Sequence, residues 1–320
     1  MASPFPLLVL AGAGLFLASP ALRAQNVFTR GPFVQNATTH SVQIIWRTAS
    51  PATTRVAYGI APVLDTLIAG ASQVTNHVVT LTGLAPGATY LYVVSSENEA
   101  GVLSSTPETF RTLKTEGPVS FAFISDTTGG RPLTTNLVAG IISDHPDLVV
   151  HGGDITGHGN NELKFDTEYF RPFQPLIKNT PVYHISGNHD ADPDFSDDPT
   201  GALFQNAFYL PTNSATGTEL FYSFDHGDVH FVCLYNPWFH NYVFTNGSIQ
   251  YQWLTNDLAA SAKPWKLMFS HFPVATASYH STDNYNGGIP DHYEVMALLL
   301  PVARQYGVQM IFSGDRKSVV

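Results

Sequence analysis

The chain has 320 residues, of which 44% are hydrophobic and only 12% charged, with a formal charge of −10. Length alone predicts two domains. A charged fraction this far below the usual ~25% leaves the surface to Ser, Thr, Asn and Gly, as suits an extracytoplasmic protein. No basic run is present to form an extended nucleic-acid surface. A small phosphorylated substrate stays compatible with the acidic balance, because bound cations can supply positive charge.

Residues 1–24 have the layout of a secretory signal peptide: an apolar stretch from Leu7 to Ala18, then small residues with cleavage expected after Ala21 or Ala24. The stretch is shorter than the ~20 residues that span a bilayer. The mature chain is therefore expected to be secreted or periplasmic. The single cysteine, Cys233, lies in the apolar run His230 to Leu234 and reads as a small buried hydrophobe. One cysteine allows no intrachain disulfide.

Residues 26–113 read as short strands separated by turns. Val42, Ile44 and Trp46 alternate with Gln43, Ile45 and Arg47, which predicts a strand with one buried face. Leu84-Ala85-Pro86-Gly87 is a turn, followed by a strand from Tyr90 to Val94. The spacing predicts an all-β sandwich. Trp46 and Tyr90 resemble the core Trp and tyrosine corner of fibronectin type III domains. Lys114 to Pro118 has the composition of a linker.

The grammar changes after the linker. Val119 to Ile124 is an apolar run, as a strand buried on both faces should be. Pro132 to His145 has helical spacing, Asp147 to His151 is a second buried strand, and Glu162 to Lys178 a helix that Pro172 and Pro175 should break. Pro181 to Ile185 is a third strand. Strands alternating with helices predict a largely parallel α/β sheet. Leu220 to Phe224 and Val229 to Tyr235 predict an antiparallel hairpin, Ser248 to Ser261 a helix, Trp265 to Ser270 a strand, Asp291 to Tyr306 a helix and Val308 to Ser313 a last strand.

Chemistry-bearing residues follow the strands. The first strand delivers Asp126, the second Gly153-Asp154, the third Gly187-Asn188-His189-Asp190, and a later one His271. Open α/β sheets bind ligands at the carboxyl ends of their strands. A lone Asp there is commonly a cap or turn former, and a lone His a structural one. Four such residues in one order point instead to a shared centre. Two carboxylates there need a cation between them, and hard oxygens with an imidazole suit Fe, Mn or Zn. A two-metal site follows, with Asp154 bridging ions about 3.5–4 Å apart.

From Val119 onward the chain resembles calcineurin-like metallophosphoesterases. With the preceding sandwich it resembles purple acid phosphatase-like proteins. The residues carrying the resemblance are Gly153-Asp154, Gly187-Asn188-His189-Asp190, the Tyr222 to Phe231 hairpin, Trp253-Leu254 and Phe269 to Pro273. It implies an α/β/β/α four-layer catalytic domain and a phosphoester hydrolase, either phosphatase or phosphodiesterase. Asp126 would bind the first metal, Asp154 would bridge, and Asn188 and His271 would bind the second. A metal-bound hydroxide would attack phosphorus in line. His189 would serve as general acid or hydrogen-bond donor, held by Asp190.

The sequence departs from the family pattern at three places. Gly157 stands where the purple enzymes carry a ligating tyrosine, so their colour is not expected here. Thr128 stands where other members carry a histidine, leaving the first metal short of a ligand. His158 is a substitute by position, with a solvent-facing loop histidine as the plainer reading. After Gly314 the family continues Gly-His-x-His, whereas this chain reads Asp315 to Val320. Those six residues are expected to be a non-native tail, since one back-translation resembles sequencing-adapter read-through. The domain layout is then 1–24 signal peptide, 26–113 sandwich, 114–118 linker and 119–314 incomplete catalytic domain. The rival reading is a catalytically inactive surface or binding protein on the same scaffold. The chain as it stands is expected to be poorly active.

Overall fold

The computed structural model describes residues 26–128, 132–190, 201–235, 246–274 and 291–315. The expected signal peptide, most of the aspartate-rich stretch after Asp190, the loop carrying Tyr279, His280 and Tyr285, and the tail beyond Asp315 lie outside the described residues.

The first region is all β: β1 (Phe28–Gln35), β2 (Ser41–Ile60), β3 (Thr66–Thr82), β4 (Thr89–Asn98), β5 (Gly101–Ser104) and β6 (Glu108–Arg111). β2 is the spine. Its first half pairs with β1 and β3, its second half with β3 and β4, and the β2–β3 register slips between Arg47 and Thr54. Such irregularities bend a strand. Across the bend, the Trp46 indole donates to Ser96 Oγ of β4 (2.9 Å) and its ring stacks on His77. Tyr90 forms the expected corner, its hydroxyl accepting from Ala85 N at 2.8 Å. The alternation fails at one position: Ile45 is as buried as Ile44 and Trp46. It lies opposite Phe33 of β1, whose ring meets Phe170 of the second region at 5.0 Å. The second face is therefore also covered.

The second region holds two sheets, as the α/β/β/α resemblance implies, where the strand–helix alternation alone predicts one. The first is parallel, in the order β7 (Phe121–Ile124), β8 (Leu148–His151), β9 (Val182–His184). The second runs β10 (Tyr222–His226), β11 (Val229–Cys233), β12 (Trp265–Ser270), β13 (Met310–Ser313), antiparallel in the hairpin and parallel thereafter. Aromatic side chains join them. Phe121 meets Phe231, Phe269 and Phe312 edge-on at 5.4–5.9 Å, and Tyr183 stacks on Phe224 at 3.7 Å. A strand run apolar on both sides is thus explained by a second sheet on one face, not by helices on both.

The helices are α1 (Pro132–Asp144), α2 (Glu162–Phe165), α3 (Arg171–Ile177), α4 (Ala202–Ala207), α5 (Ile249–Ala260) and α6 (Asp291–Gln305). The helix expected to break at its prolines does not. A π-turn, Asp166–Phe170, links α2 to α3, Pro172 falls in the first turn of α3, and Pro175 lies near its end. Ser248 caps α5 by accepting from Tyr251 N.

The regions meet through buried polar contacts. Arg30 is buried; its Nε donates to Asp166 Oδ1 at 2.6 Å and its guanidinium lies 3.9 Å from the Phe170 ring centroid. Tyr92 Oη donates to Lys178 O at 2.7 Å, and Lys178 pairs with Glu108 at 3.0 Å. No helix among the described residues is long and apolar enough to cross a membrane.

Candidate metal centre

The centre is built at the carboxyl ends of β7, β8, β9 and β12. Hydrogen bonds between backbones knit these ends together: Gly152 N to Ile124 O at 2.7 Å, Asp126 N to Gly153 O at 3.0 Å and Ile185 N to His151 O at 2.8 Å. Asp126 and Asp154 both leave their strands with a left-handed backbone, φ 58° and 52°. Asp tolerates that conformation better than most residues. Close approach requires glycine at two positions. A Cβ on Gly187 would sit 2.3 Å from Asp154 N and Oδ1, and one on Gly153 would sit 2.6 Å from His271 Nδ1.

Ligand atoms of Asp126, Asp154 and His271 lie within 4.8 Å of one another. His271 is fully buried; its Nδ1 faces Gly152 O at 2.8 Å. Its Nε2 faces Asp154 Oδ1 at 3.2 Å and Asn188 Oδ1 at 3.0 Å. The structure thus brings Asp126, Asp154, Asn188 and His271 to one place. His189 stands beside them, its N donating to Asp154 Oδ1 at 3.1 Å and its Nε2 3.9 Å from Asp154 Oδ2.

Asp190 does something other than hold the His189 ring, and the expectation is corrected here. Its buried carboxylate accepts from Ile155 N and Thr156 N through Oδ1 and from Gly187 N through Oδ2, each at 2.9 Å. It staples the turn after β9 to the turn after β8. The His189 ring is held instead by Gly157 O, 2.7 Å from Nδ1. A carboxylate already serving backbone donors on both oxygens is committed to the loops.

The electrostatics follow from burial and crowding. Burial works against a charged His271 ring, but Asp154 beside it lifts the pKa to about 9. Burial likewise raises Asp154, yet His271 prevails and holds it below the usual carboxylate value. Asp190 is pushed up to about 7 by burial and by the nearby Asp154 charge. His151, fully buried beneath the centre, is driven down to about 3 by desolvation and stays neutral. It accepts from Gly153 N through Nδ1 (3.3 Å), so its Nε2 carries the proton toward Thr127 Oγ1 at 2.8 Å.

The profile of the Calcineurin-like phosphoesterase family matches residues 119–316. The chain belongs to that family. The profile of the purple acid phosphatase N-terminal domain matches residues 33–112. Among curated relatives, purple acid phosphatase 13 of Arabidopsis thaliana is 26% identical over 277 residues, covering 74% of this chain and 48% of the relative. Purple acid phosphatase 23 of the same plant is 28% identical over 283 residues, covering 78% and 58%. The chain thus spans about half the length of these relatives. A purple acid phosphatase from yellow lupin (Lupinus luteus) seeds shares the fold with a TM-score of 0.71 at 18% identity, covering 91% of this chain and 58% of that one. A structure named PhoD does so at 0.68 and 16%, covering 93% and 73%.

A metal centre of this phosphoesterase family fits the residues present. The donor set is two carboxylates, one amide oxygen and one imidazole. Their ligand atoms lie close enough that the Asp154 carboxylate lifts the His271 pKa against the pull of burial, a place that favours positive charge. Gly157, at the position of the family's tyrosine, offers only backbone: its N–H donates to Glu168 Oε2 at 2.8 Å. His158 is exposed and packs edge-on against His189, with ring centroids 5.7 Å apart, outside the donor cluster. Sequence reasoning missed His151, Thr127, Glu168 and the Gly157 carbonyl. Only His151 carried a signal, as a polar residue closing an apolar strand.

Proposed function

We propose that this chain is an exported, metal-dependent phosphoester hydrolase with a dinuclear centre of Fe, Mn or Zn. The observation that carries the proposal is the convergence of Asp126, Asp154 and His271 within 4.8 Å, with Asn188 Oδ1 3.0 Å from His271. Asp126 would hold the first cation, Asp154 would bridge, and Asn188 and His271 would hold the second. When bound, the cations neutralise phosphate oxygens and activate water for in-line attack.

The remaining residues orient and transfer protons. His189, with 40% of its side chain exposed, stands at the open side of the centre. Gly157 O accepts its Nδ1 proton, so Nε2 is left to offer a proton to the leaving oxygen when the ring is charged. Asp190 keeps Asn188 and Asp154 in mutual register through the backbone on either side. Residues 26–113 and 119–314 are the two units, joined by the 114–118 linker. The substrate class is small phosphorylated compounds. The leader-like residues 1–24 and the sparsely charged surface support secretion or a periplasmic location.

The test is turnover of p-nitrophenyl phosphate and bis-p-nitrophenyl phosphate after loading with Mn, Fe or Zn. It is run on this chain and on one extended by the residues its source gene encodes after Gly314. Metal-dependent turnover that Asn188→Ala and Asp154→Asn abolish is expected. No metal-dependent turnover in either form, with wild type equal to Asn188→Ala, overturns the proposal.

A further inference from the structure

Glu168 is a buried carboxylate with no part in the roles above. It lies in the π-turn, where three successive residues, Glu168, Tyr169 and Phe170, are all buried. A regular surface helix buries a stripe spaced three or four residues apart. The widened turn, a feature that recurs at functional sites, brings these three inward together. Tyr169 packs on His151 and His184, and Phe170 on Phe33 and Arg30. Glu168 points the other way, toward the loop after β8. Its Oε2 accepts from Gly157 N at 2.8 Å, and its Oε1 pairs with Lys164 at 3.1 Å.

Three consecutive amides of that loop are thus held by two buried carboxylates: Ile155 and Thr156 by Asp190, Gly157 by Glu168. Gly157 needs the hold most, because glycine has the widest choice of backbone conformations. Space does not require a glycine there: an added Cβ would meet only Glu168 Oε2, at an ordinary 3.6 Å. The carbonyl of this same residue receives the His189 Nδ1 proton at 2.7 Å. Beyond this bond, among the described residues, the partly exposed ring meets only the edge of His158 and, at 3.9 Å from Nε2, Asp154 Oδ2.

We propose that Glu168 is a positioning residue for His189, acting through Gly157: its carboxylate fixes the Gly157 backbone, and the fixed carbonyl sets the tautomer and direction of the imidazole. The functional meaning rests on the hydrolase reading, in which Nε2 of that ring faces the leaving oxygen. The structural claim does not, and the experiment reads it without turnover.

The whole chain is labelled with 15N-histidine and observed by long-range 1H–15N correlation at mildly alkaline pH. His189 is assigned from the signal lost in His189→Gln. In the wild type its two ring nitrogens should be widely separated, as a single Nδ1–H tautomer requires. Glu168→Met keeps the bulk and the burial but removes the acceptor. In it the two nitrogens should move toward each other as tautomers mix. Glu168→Gln retains an oxygen for Gly157 N–H and should keep the wild-type pattern. Adding Gly157→Ala to Glu168→Met restricts the backbone directly and should move the signals back toward wild type. Unchanged His151 and His184 signals report an intact fold in each variant. Wild-type nitrogens in Glu168→Met overturn the proposal. So does a Glu168→Gln spectrum equal to that of Glu168→Met, because charge and not the hydrogen bond would then be responsible.

Discussion

Two histidines of this molecule, His271 and His230, are both lifted to a pKa of about 9 against the pull of burial. Their surroundings give that shift opposite meanings. His230, on β11, has a separate carboxylate for each ring nitrogen: Asp225 at 2.7 Å from Nδ1 and Asp257 at 2.9 Å from Nε2. Two protons meet two acceptors, and the cation is complete. His271 spends Nδ1 on a backbone carbonyl, while its Nε2 faces both Asp154 at 3.2 Å and Asn188 at 3.0 Å. One proton cannot fully serve two oxygens. A raised pKa shows that a place wants positive charge. The count of donors against acceptors tells whether a proton suffices or a metal belongs there.

The sharpest way to break this contrast is to release the scaffold around His271. Asp190→Ala leaves the buried amides of Ile155, Thr156 and Gly187 without their acceptor. Unmet buried donors cost about 1–3 kcal/mol each, so a loss of roughly 3–5 kcal/mol is expected in urea unfolding. A loss under about 1 kcal/mol would show that the loops hold themselves. Next comes Gly187→Ala, whose methyl would need the space of Asp154 N and Oδ1, 2.3 Å away. Overpacking of this kind costs about 1–3 kcal/mol. Bound Mn or Zn, measured by elemental analysis, should fall to background, since Asp154 and His271 must both shift.

Most of this scaffold was legible in outline and little of it in detail. Asp126, Asp154, Asn188 and His271 were readable because each directly follows an apolar strand, and strand ends in α/β sheets share an edge. The tyrosine corner was readable from Tyr90 after Leu-x-Pro-Gly. The second sheet was readable only through the family resemblance, because an apolar run such as Phe121 to Ile124 looks the same whether helices or another sheet cover it. Asp190 was assigned to His189 through the family resemblance. Its actual partners, Ile155 and Thr156, are 35 and 34 residues away, and backbone donors leave no mark in a sequence. Glu168 was hidden for the same reason, and also because a π-turn breaks the helical period that would have revealed its face.

At the other pole of the comparison, His230→Gln should leave metal content unchanged and alter only stability. The folded pKa of about 9 lies above the ordinary 6.5, so the folded state keeps a proton that the unfolded chain releases between those values. The pair's stabilisation is therefore complete below about pH 6.5 and fades as pH rises through about 9. With Asp225 half exposed, about 1–2 kcal/mol is expected after allowing for solvent screening. Urea midpoints measured across that window should slope downward in the wild type and less steeply in the variant, where His271 alone keeps a raised pKa of about 9. An equal slope in both would place the proton elsewhere.

The smallest effect distinguishes the two arms of this closed pair. Asp225 has 49% of its side chain exposed and Asp257 only 19%. Asp257 also accepts from Ser223 Oγ at 2.9 Å, which fixes its orientation before His230 arrives. Water competes for the exposed arm and screens it, so Asp225→Asn should cost only about 0.5 kcal/mol, whereas Asp257→Asn should cost about 1 kcal/mol or more. Titration of His230 by NMR should follow the same order, with the larger fall in pKa on loss of Asp257. If the two variants are equal, burial does not set the strength of either arm. His230 would then be held by net charge alone, and counting acceptors would no longer separate it from His271.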